Sequence, residues 1–374
     1  MQMTMKKGRL KTANRLLQQT ALPAVFGLLS LFGEPAWANS GEAGRFVQCT
    51  ATVQGNGTVN GQPALAFGSS GNGVNLLNNN QPDDVQATIH YQCTNNDEYS
   101  IKVRLCFNID GGRKSPNIYA PRKMTSTENS SQTLQLSLLK PNDTEWGTDG
   151  TTNSPSSFGT GVMRIGLKSS FSGSIPIKAR LVRGQNNVIP TTSGYYLSDF
   201  TGGSTALSWK AERYGKPDPA NCGNDLNTGQ RFPFVVQAHV APVCEITAAD
   251  DIDFGTHTAG STDLKQSGNL TVRCTNSTPY SIGLVPSNGN QDGKGEMKSL
   301  NHAATNTDKV PYQLRKSSSS NAHFWGNNES GSGSVKSNQT GDGNEQTHTV
   351  YAEVRSTDYT PDEYRDKVTV HVKY

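Results

Sequence analysis

Charged residues make up only 17% of the 374-residue chain, aromatic residues only 7%, and no stretch repeats apolar residues at helical spacing over several turns. That sets aside helical bundles and layered folds built on crossover helices. The catalytic signatures H-E-x-x-H and G-x-S-x-G are missing, and the seven histidines, His90, His239, His257, His302, His323, His348 and His371, are scattered. No enzyme is expected, and no catalytic residue, cofactor or metal is assigned. Apolar runs long enough to cross a bilayer are lacking too.

What the chain has in quantity is turn chemistry. Its 38 glycines, with abundant Asn, Ser and Thr, punctuate short alternating segments, so the fold expected is all-β and the length suggests two or three domains. The first 38 residues read as a secretory signal: Lys6, Lys7, Arg9, Lys11 and Arg15 precede ALPAVFGLLSLFG, and Ala36-Trp37-Ala38 offers the small residues cleavage needs. Removing them takes the formal charge from +3 to −1, so the apparent basicity argues for neither nucleic acid nor an anionic membrane.

A repeat organises the remainder. Residues from Cys93 read CTNNDEYSI and those from Cys274 read CTNSTPYSI, and Trp146-Gly147 and Trp325-Gly326 follow at similar distance. Recurrence at equivalent positions marks the two tryptophans as fold residues before binding residues. After PTTSGYYLSD, ending at Asp199, the first copy runs on into FPFVVQAHVAPV before Cys244, whereas the second reaches PDEYRD at Asp366 and adds only KVTVHVKY. One domain therefore has a last strand that the other lacks. The boundaries expected are 39–241 and 242–374, and a β-sandwich missing a strand exposes core and an unpaired edge that another chain must complete.

The six cysteines, an even number in an exported chain, read as disulfides. The repeat pairs Cys244 with Cys274 and Cys49 with Cys93, which leaves Cys106 for Cys222. A zinc site is the rival reading, but no C-x-x-C occurs and no His stands at ligand spacing. Asn288-Gly-Asn290-Gln-Asp292-Gly293 resembles the opening of a calcium loop, yet Ser299 stands where the bidentate Glu belongs, so an ordinary polar turn is expected.

In the second copy, strands are expected at 244–246, 252–254, 269–274, 280–285, 310–315, 347–354 and 367–374. In the last of these Val368, Val370, Val372 and Tyr374 share one face, and Thr369, His371 and Lys373 share the other. Those four apolar residues are the expected wall of a strand-acceptor groove.

DFGTHTAGS, TVRCTNSTPYSI, the Val-Pro-Tyr-Gln-Leu run, Trp325-Gly326, TVYAEV and PDEYRDKVTVHVKY, in that order, resemble the spore coat protein U domain. The match is nearly complete for the second copy and looser for the first. Such two-domain chains are similar to tip subunits of archaic, Csu-type chaperone-usher pili. The resemblance implies two immunoglobulin-like β-sandwich domains, the C-terminal one an incomplete pilin fold completed by a donor strand. It also implies a periplasmic chaperone, an outer-membrane usher and an adjacent pilin subunit as partners, with export through the periplasm to the pilus tip on the cell surface. Residues 39–48, NSGEAGRFVQ, offer only Phe46 and Val47 as sizeable apolar side chains, too few for a donor segment, so the chain is expected to accept a strand and give none.

The function expected is attachment to surfaces, abiotic or host, and biofilm formation. Three loops of the first copy carry isolated apolar pairs, Leu76-Leu77, Ile118-Tyr119 and Val188-Ile189, and strand direction gathers them at one end as a candidate apolar patch. In a simple seven-strand sandwich that end also receives the exit to the second domain. An extra strand at Thr205–Tyr214 moves the exit away; the competing reading is that Ala206–Tyr214 completes the sixth strand. Two other functions stay open: a non-adhesive tip that starts assembly, and a lectin-like tip with Trp209 and Tyr214 as the nearby aromatic candidates.

Overall fold

The computed structural model describes residues 43–68, 73–77, 84–149, 153–223, 226–319 and 321–374. The expected signal segment, 1–38, lies outside them. The described chain is built of strands, with a single 3-10 turn at Gly44–Phe46 as its helical element. The sheets divide between Ala238 and Cys244, two on either side.

Strand Val47–Gln54 sets the pattern of the first domain. Val47, Cys49, Ala51 and Val53 point inward and Gln48, Thr50, Thr52 and Gln54 outward, a strict two-residue alternation. It is the edge of a nine-stranded sheet that continues through Asp84–Asn95, Ser170–Leu181, Thr133–Leu139, Arg122–Ser126, Tyr196–Asp199, Val235–Ala238, Gln62–Phe67 and Gly57–Val59. The facing sheet holds Thr205–Arg213 against Ile101–Ile109, with Phe158–Gly159 and Met163–Ile165 on the other side of the latter. Between the sheets lies one large core with Trp146, Phe67, Phe107, Phe200, Phe232 and Phe234 fully enclosed.

The second domain repeats the plan with fewer strands. Cys244–Ala249, Thr262–Cys274, Glu345–Ser356, Lys309–Arg315, Lys294–Ser299 and Tyr364–Arg365 form one sheet, and Lys336–Thr340, Pro279–Pro286 and Val368–Lys373 the other. Trp325 and Trp146, both wholly buried, occupy equivalent places: Trp325 Nε1 donates to the Ile282 carbonyl at 2.9 Å and Trp146 Nε1 to the Phe107 carbonyl at 2.8 Å, each tying its loop to the third main strand.

One expectation for the second domain needs correcting, and one strand is not among those expected. Residues 252–254 form no strand, although they alternate, because no ladder reaches them. Lys294–Ser299 is a strand that periodicity hides: Gly295 leaves room for the Tyr312 ring, where a Cβ would sit 2.0 Å from Tyr312 Cζ, so an inward side chain comes from the neighbouring strand instead.

The three disulfides are Cys49–Cys93, Cys106–Cys222 and Cys244–Cys274. Cys49 stands opposite Cys93 and Cys244 opposite Cys274 in antiparallel register, with Cα atoms 4.1 Å apart in both pairs. Cys106–Cys222 spans 116 residues of sequence and fastens the long segment after Thr205–Arg213 back onto the third strand. The Asn288–Gly293 segment is a self-satisfied turn. The Asn290 side-chain oxygen accepts from the amides of Asp292 at 2.8 Å and Lys294 at 3.1 Å, and Asp292 Oδ1 accepts from Asn328 at 2.6 Å, so its oxygens are already engaged.

Candidate functional site

Strand Val368–Lys373 has one hydrogen-bonded neighbour, Pro279–Pro286, and among the described residues no other strand pairs with it. Its outer edge therefore presents backbone donors and acceptors without a sheet partner. Val368, Val370 and Val372 face the core yet remain only half-buried, because nothing lies over that side of it. Tyr374, expected on the same face, is 60% exposed and outside the strand; the ladder ends at the Ser281–Lys373 pair, so Tyr374 has no residue opposite.

The other sheet has a matching gap. Cys244–Ala249 is its edge, and beyond it Ile252 and Phe254 alternate inward, half-buried, while Asp251, Asp253 and Gly255 point out. Ile252 rests over Gly268, where a Cβ would approach its side chain to 3.0 Å. Two rows, Ile252 and Phe254 on one side and Val368, Val370 and Val372 on the other, thus border one core cluster without closing over it. Among the described residues that cluster pairs thirteen buried apolar residues with ten that are only partly buried, against thirty-eight and six in the main core cluster of the first domain.

The open strand is nevertheless held in place. Tyr312 Oη donates to Asp366 Oδ2 at 2.6 Å, and burial together with that carboxylate pushes the phenol pKa well above its usual range. Asp362 accepts from the Ser299 hydroxyl and from Asn306 Nδ2, and these hydrogen bonds hold its carboxyl well below the usual carboxylate range. The turn before the last strand is fixed on both sides, so the edge is organised before any partner arrives.

The first domain shows what closes such a gap. Thr205–Arg213 pairs antiparallel with Ile101–Ile109, as Val368–Lys373 pairs with Pro279–Pro286, and is therefore the counterpart of KVTVHVKY. Its second edge is bridged at one point. Leu207 and Gln230 exchange both backbone hydrogen bonds, at 2.7 and 2.8 Å, and the chain from Gln230 onward runs into the core. Phe232, Phe234, Val236, Ala238 and Val240 are each 0% exposed. Phe234 stacks on Phe200 with ring centroids 4.7 Å apart, and Phe232 meets Phe107 edge-on at 5.8 Å. After that bridge the segment crosses to the nine-stranded sheet, where Val235–Ala238 pairs with Tyr196–Asp199 and Gln62–Phe67, so its alternate residues close the first domain's core from within the chain, whereas the second domain's core stays open.

Because Thr205–Arg213 is the sixth strand and not an extra one, the exit to the second domain lies at the end carrying the three apolar loop pairs, and the expected exposed patch does not form. Leu77, Tyr119 and Val188 are buried, Leu76 and Ile189 half-buried, and only Ile118, 38% exposed, stands in solvent. Two of the loops face the second domain instead: Arg273 Nη2 donates to the Leu77 carbonyl at 3.1 Å, Asn75 Nδ2 to Glu245 Oε1 at 3.3 Å and Asn276 Nδ2 to the Asn187 carbonyl at 2.6 Å. Trp209 is buried as well, its Nε1 on the Gly44 carbonyl at 3.2 Å, which removes it as a ligand-stacking ring; Tyr214 is 60% exposed at the opposite end of the domain.

Comparison with curated protein sequences finds no match. Among solved structures, the chain is similar to the CsuC–CsuE chaperone–tip adhesion subunit pre-assembly complex of archaic chaperone-usher Csu pili of Acinetobacter baumannii, at 17% identity and a TM-score of 0.45, covering 87% of this chain and 100% of that one. The CupB6 tip adhesin of Pseudomonas aeruginosa matches at 10% identity and a TM-score of 0.31, over 87% and 94% of the two chains. A chaperone–tip adhesin complex of CFA/I fimbriae matches at 9% identity and a TM-score of 0.26, over 83% and 94%. The model of the Spore Coat Protein U domain matches twice, over residues 44–197 and 230–371, and its second match begins with the very segment that fills the first domain's core. By that double match, covering most of its length, the chain belongs to the Spore Coat Protein U domain family.

Proposed function

We propose that the chain is a pilus tip adhesin whose second domain takes from another protein the strand that the first domain takes from residues 230–240. The observation that carries this is the contrast between Phe232, Phe234, Val236, Ala238 and Val240, all at 0% exposure, and Val368, Val370 and Val372, half-buried beside an unpaired edge. A donor of alternating apolar residues laid along Val368–Lys373 satisfies the open backbone and covers the rows on both sides. In the periplasm a chaperone supplies it, at the outer-membrane usher an adjacent pilin subunit replaces it, and the first domain, joined at its loop-pair end to the second, points its other end outward. There it attaches the fibre to a surface and supports biofilm formation.

The test is to produce residues 39–374 with and without a segment of alternating Val and Thr fused after Tyr374. Covering four or five apolar side chains at about 1.5–3 kcal/mol each is comparable with the whole net stability of a domain. The fused chain is expected to be soluble and cooperatively folded, and the unfused one to aggregate or be degraded unless a chaperone is supplied. An unfused chain that stays monomeric, with a sharp unfolding transition for the second domain, contradicts the proposal.

A further inference from the structure

The end of the first domain away from the second is where its exposed aromatic residues gather. Tyr99, Leu167 and Tyr214 are 59%, 57% and 60% exposed, three of the largest apolar exposures in the described chain, and they come from three separate loops. Backbone contacts knit those loops together: the Tyr214 amide donates to the Ser100 carbonyl at 2.8 Å, Asn95 Nδ2 to both the Tyr99 and Gly166 carbonyls at 2.8 Å, and the Asn96 amide to the Phe46 carbonyl at 2.8 Å. The Cys106–Cys222 disulfide and the Lys102–Asp218 ion pair, 2.8 Å, pin the loop that carries Tyr214. The surface is built, not incidental.

Each tyrosine is backed by an arginine. The Arg213 guanidinium lies 4.7 Å from the Tyr99 ring centroid and Arg164 lies 4.2 Å from that of Tyr214, while Arg45 covers the half-buried Phe46 at 4.8 Å. Stacking occupies the face of a guanidinium and leaves its N–H edge free to bind oxyanions. Arg213 spends that edge on Asp97, at 2.8 Å, and Lys168 is paired with Glu98 at 2.9 Å. Arg45 and Arg164 are exposed, and among the described residues neither is ion-paired with a carboxylate; Arg164 Nη2 donates to the Ser100 hydroxyl at 3.4 Å. Around the cluster, segments 43–46, 96–104, 160–168 and 210–218 hold eight basic residues against four acidic ones, on a chain that is near neutrality once its first 38 residues are set aside.

We propose that this end binds an acidic polysaccharide, with Tyr99 and Tyr214 presenting flat amphipathic rings to sugar faces and Arg45 and Arg164 taking the carboxylates or sulfates. An apolar solid uses the rings but has no need of the cations, and a neutral glycan leaves them desolvated without a partner. The inference deepens the adhesin reading and rests on it for its biological setting, not for its measurement.

The experiment uses the full chain, kept soluble by whatever partner strand it requires, over immobilised polygalacturonate, neutral dextran, double-stranded DNA and polystyrene. Retention on polygalacturonate that weakens as salt rises is expected. Arg45→Gln with Arg164→Gln, and separately Tyr99→Ser with Tyr214→Ser, are each expected to weaken it about tenfold or more, from charge and ring contacts of ordinary size. Tyr99→Phe with Tyr214→Phe keeps the rings and most of the binding, and Leu300→Ser, an exposed site in the second domain, changes nothing. Equal retention on dextran, tighter retention on DNA, or binding to polystyrene alone that ignores the arginines overturns the proposal. Failure of strand acceptance shows itself separately, as an unfused chain that stays monomeric and cooperatively folded, or as lack of rescue by a fused strand.

Discussion

Phe234→Ala is the sharpest probe of how the first domain closes itself. The ring is wholly buried and stacked on Phe200 at an interplanar angle of 14°, and the Phe234 carbonyl accepts from the Phe200 amide at 3.0 Å, in the segment that leads into Val235–Ala238. Truncating a buried Phe costs about 3–5 kcal/mol, transfer and cavity together, which is a large share of a domain's net stability of about 5–15 kcal/mol. With a urea slope of about 2–3 kcal/mol per molar, the unfolding midpoint of the first domain should fall by about 1–2 M. Fluorescence from Trp146 and Trp209 reports that domain, and Trp325 reports the other. The Trp325 transition should stay where it was. A first-domain midpoint that moves by less than about 0.3 M refutes the claim that residues 230–240 act as that domain's closing strand.

The half-buried Val370 gives the mirror result: Val370→Ala should cost less than about 1 kcal/mol in the chain without a donor strand, and more once one is fused, because only then is the side chain enclosed. His348, hydrogen-bonded to Tyr280 Oη at 2.9 Å, has its pKa lowered to about 4, by burial first and then by the Lys336 charge. The unfolded chain therefore takes up the proton more readily, so the second domain is at full stability above about pH 6.5 and loses stability as pH falls from there toward 4; His348→Gln should flatten that dependence in thermal melts. Glu128 is lowered to about 2 by the amides of Ser193 and Gly194, so its contribution holds above about pH 4.5 and fades as pH falls toward 2, which hydrogen exchange of those amides will follow. Non-reducing peptide mapping should return Cys49–Cys93, Cys106–Cys222 and Cys244–Cys274 alone, and replacing Cys106 and Cys222 with Ser should loosen the loop bearing Tyr214.

The repeat was legible because it is written in residues with few alternatives. Paired cysteines and an enclosed tryptophan recur at fixed places, and the alternation of Val368, Val370 and Val372 carries its own register. Alternation alone misled at Ile252 and Phe254, which point inward as strand residues do but have no partner to hydrogen-bond; pairing is a property of the neighbour, not of the segment. The apolar pairs Leu76-Leu77 and Val188-Ile189 misled for a related reason. An apolar residue in a polar loop announces that something covers it, and here the cover is the domain's own core and the second domain. The cluster at the far end escaped notice because Tyr99, Leu167 and Tyr214 are single residues 68 and 47 positions apart. A signal did exist, since each has an arginine close by in sequence or across a strand pair, but only the ladder that sets Arg164 against Lys102 brings them together.

Hydrogen exchange along Val368–Lys373 tests strand acceptance most directly. Half of that strand's amides face Pro279–Pro286 and half face the open edge. In the chain without a donor the outward amides should exchange at close to the rate of exposed backbone, and fusing an alternating Val and Thr segment after Tyr374 should slow them by about a hundredfold or more, while the amides of Thr205–Arg213, in the other domain, stay unchanged. Outward amides that are protected before any strand is added, or that remain fast after one is fused, contradict the account.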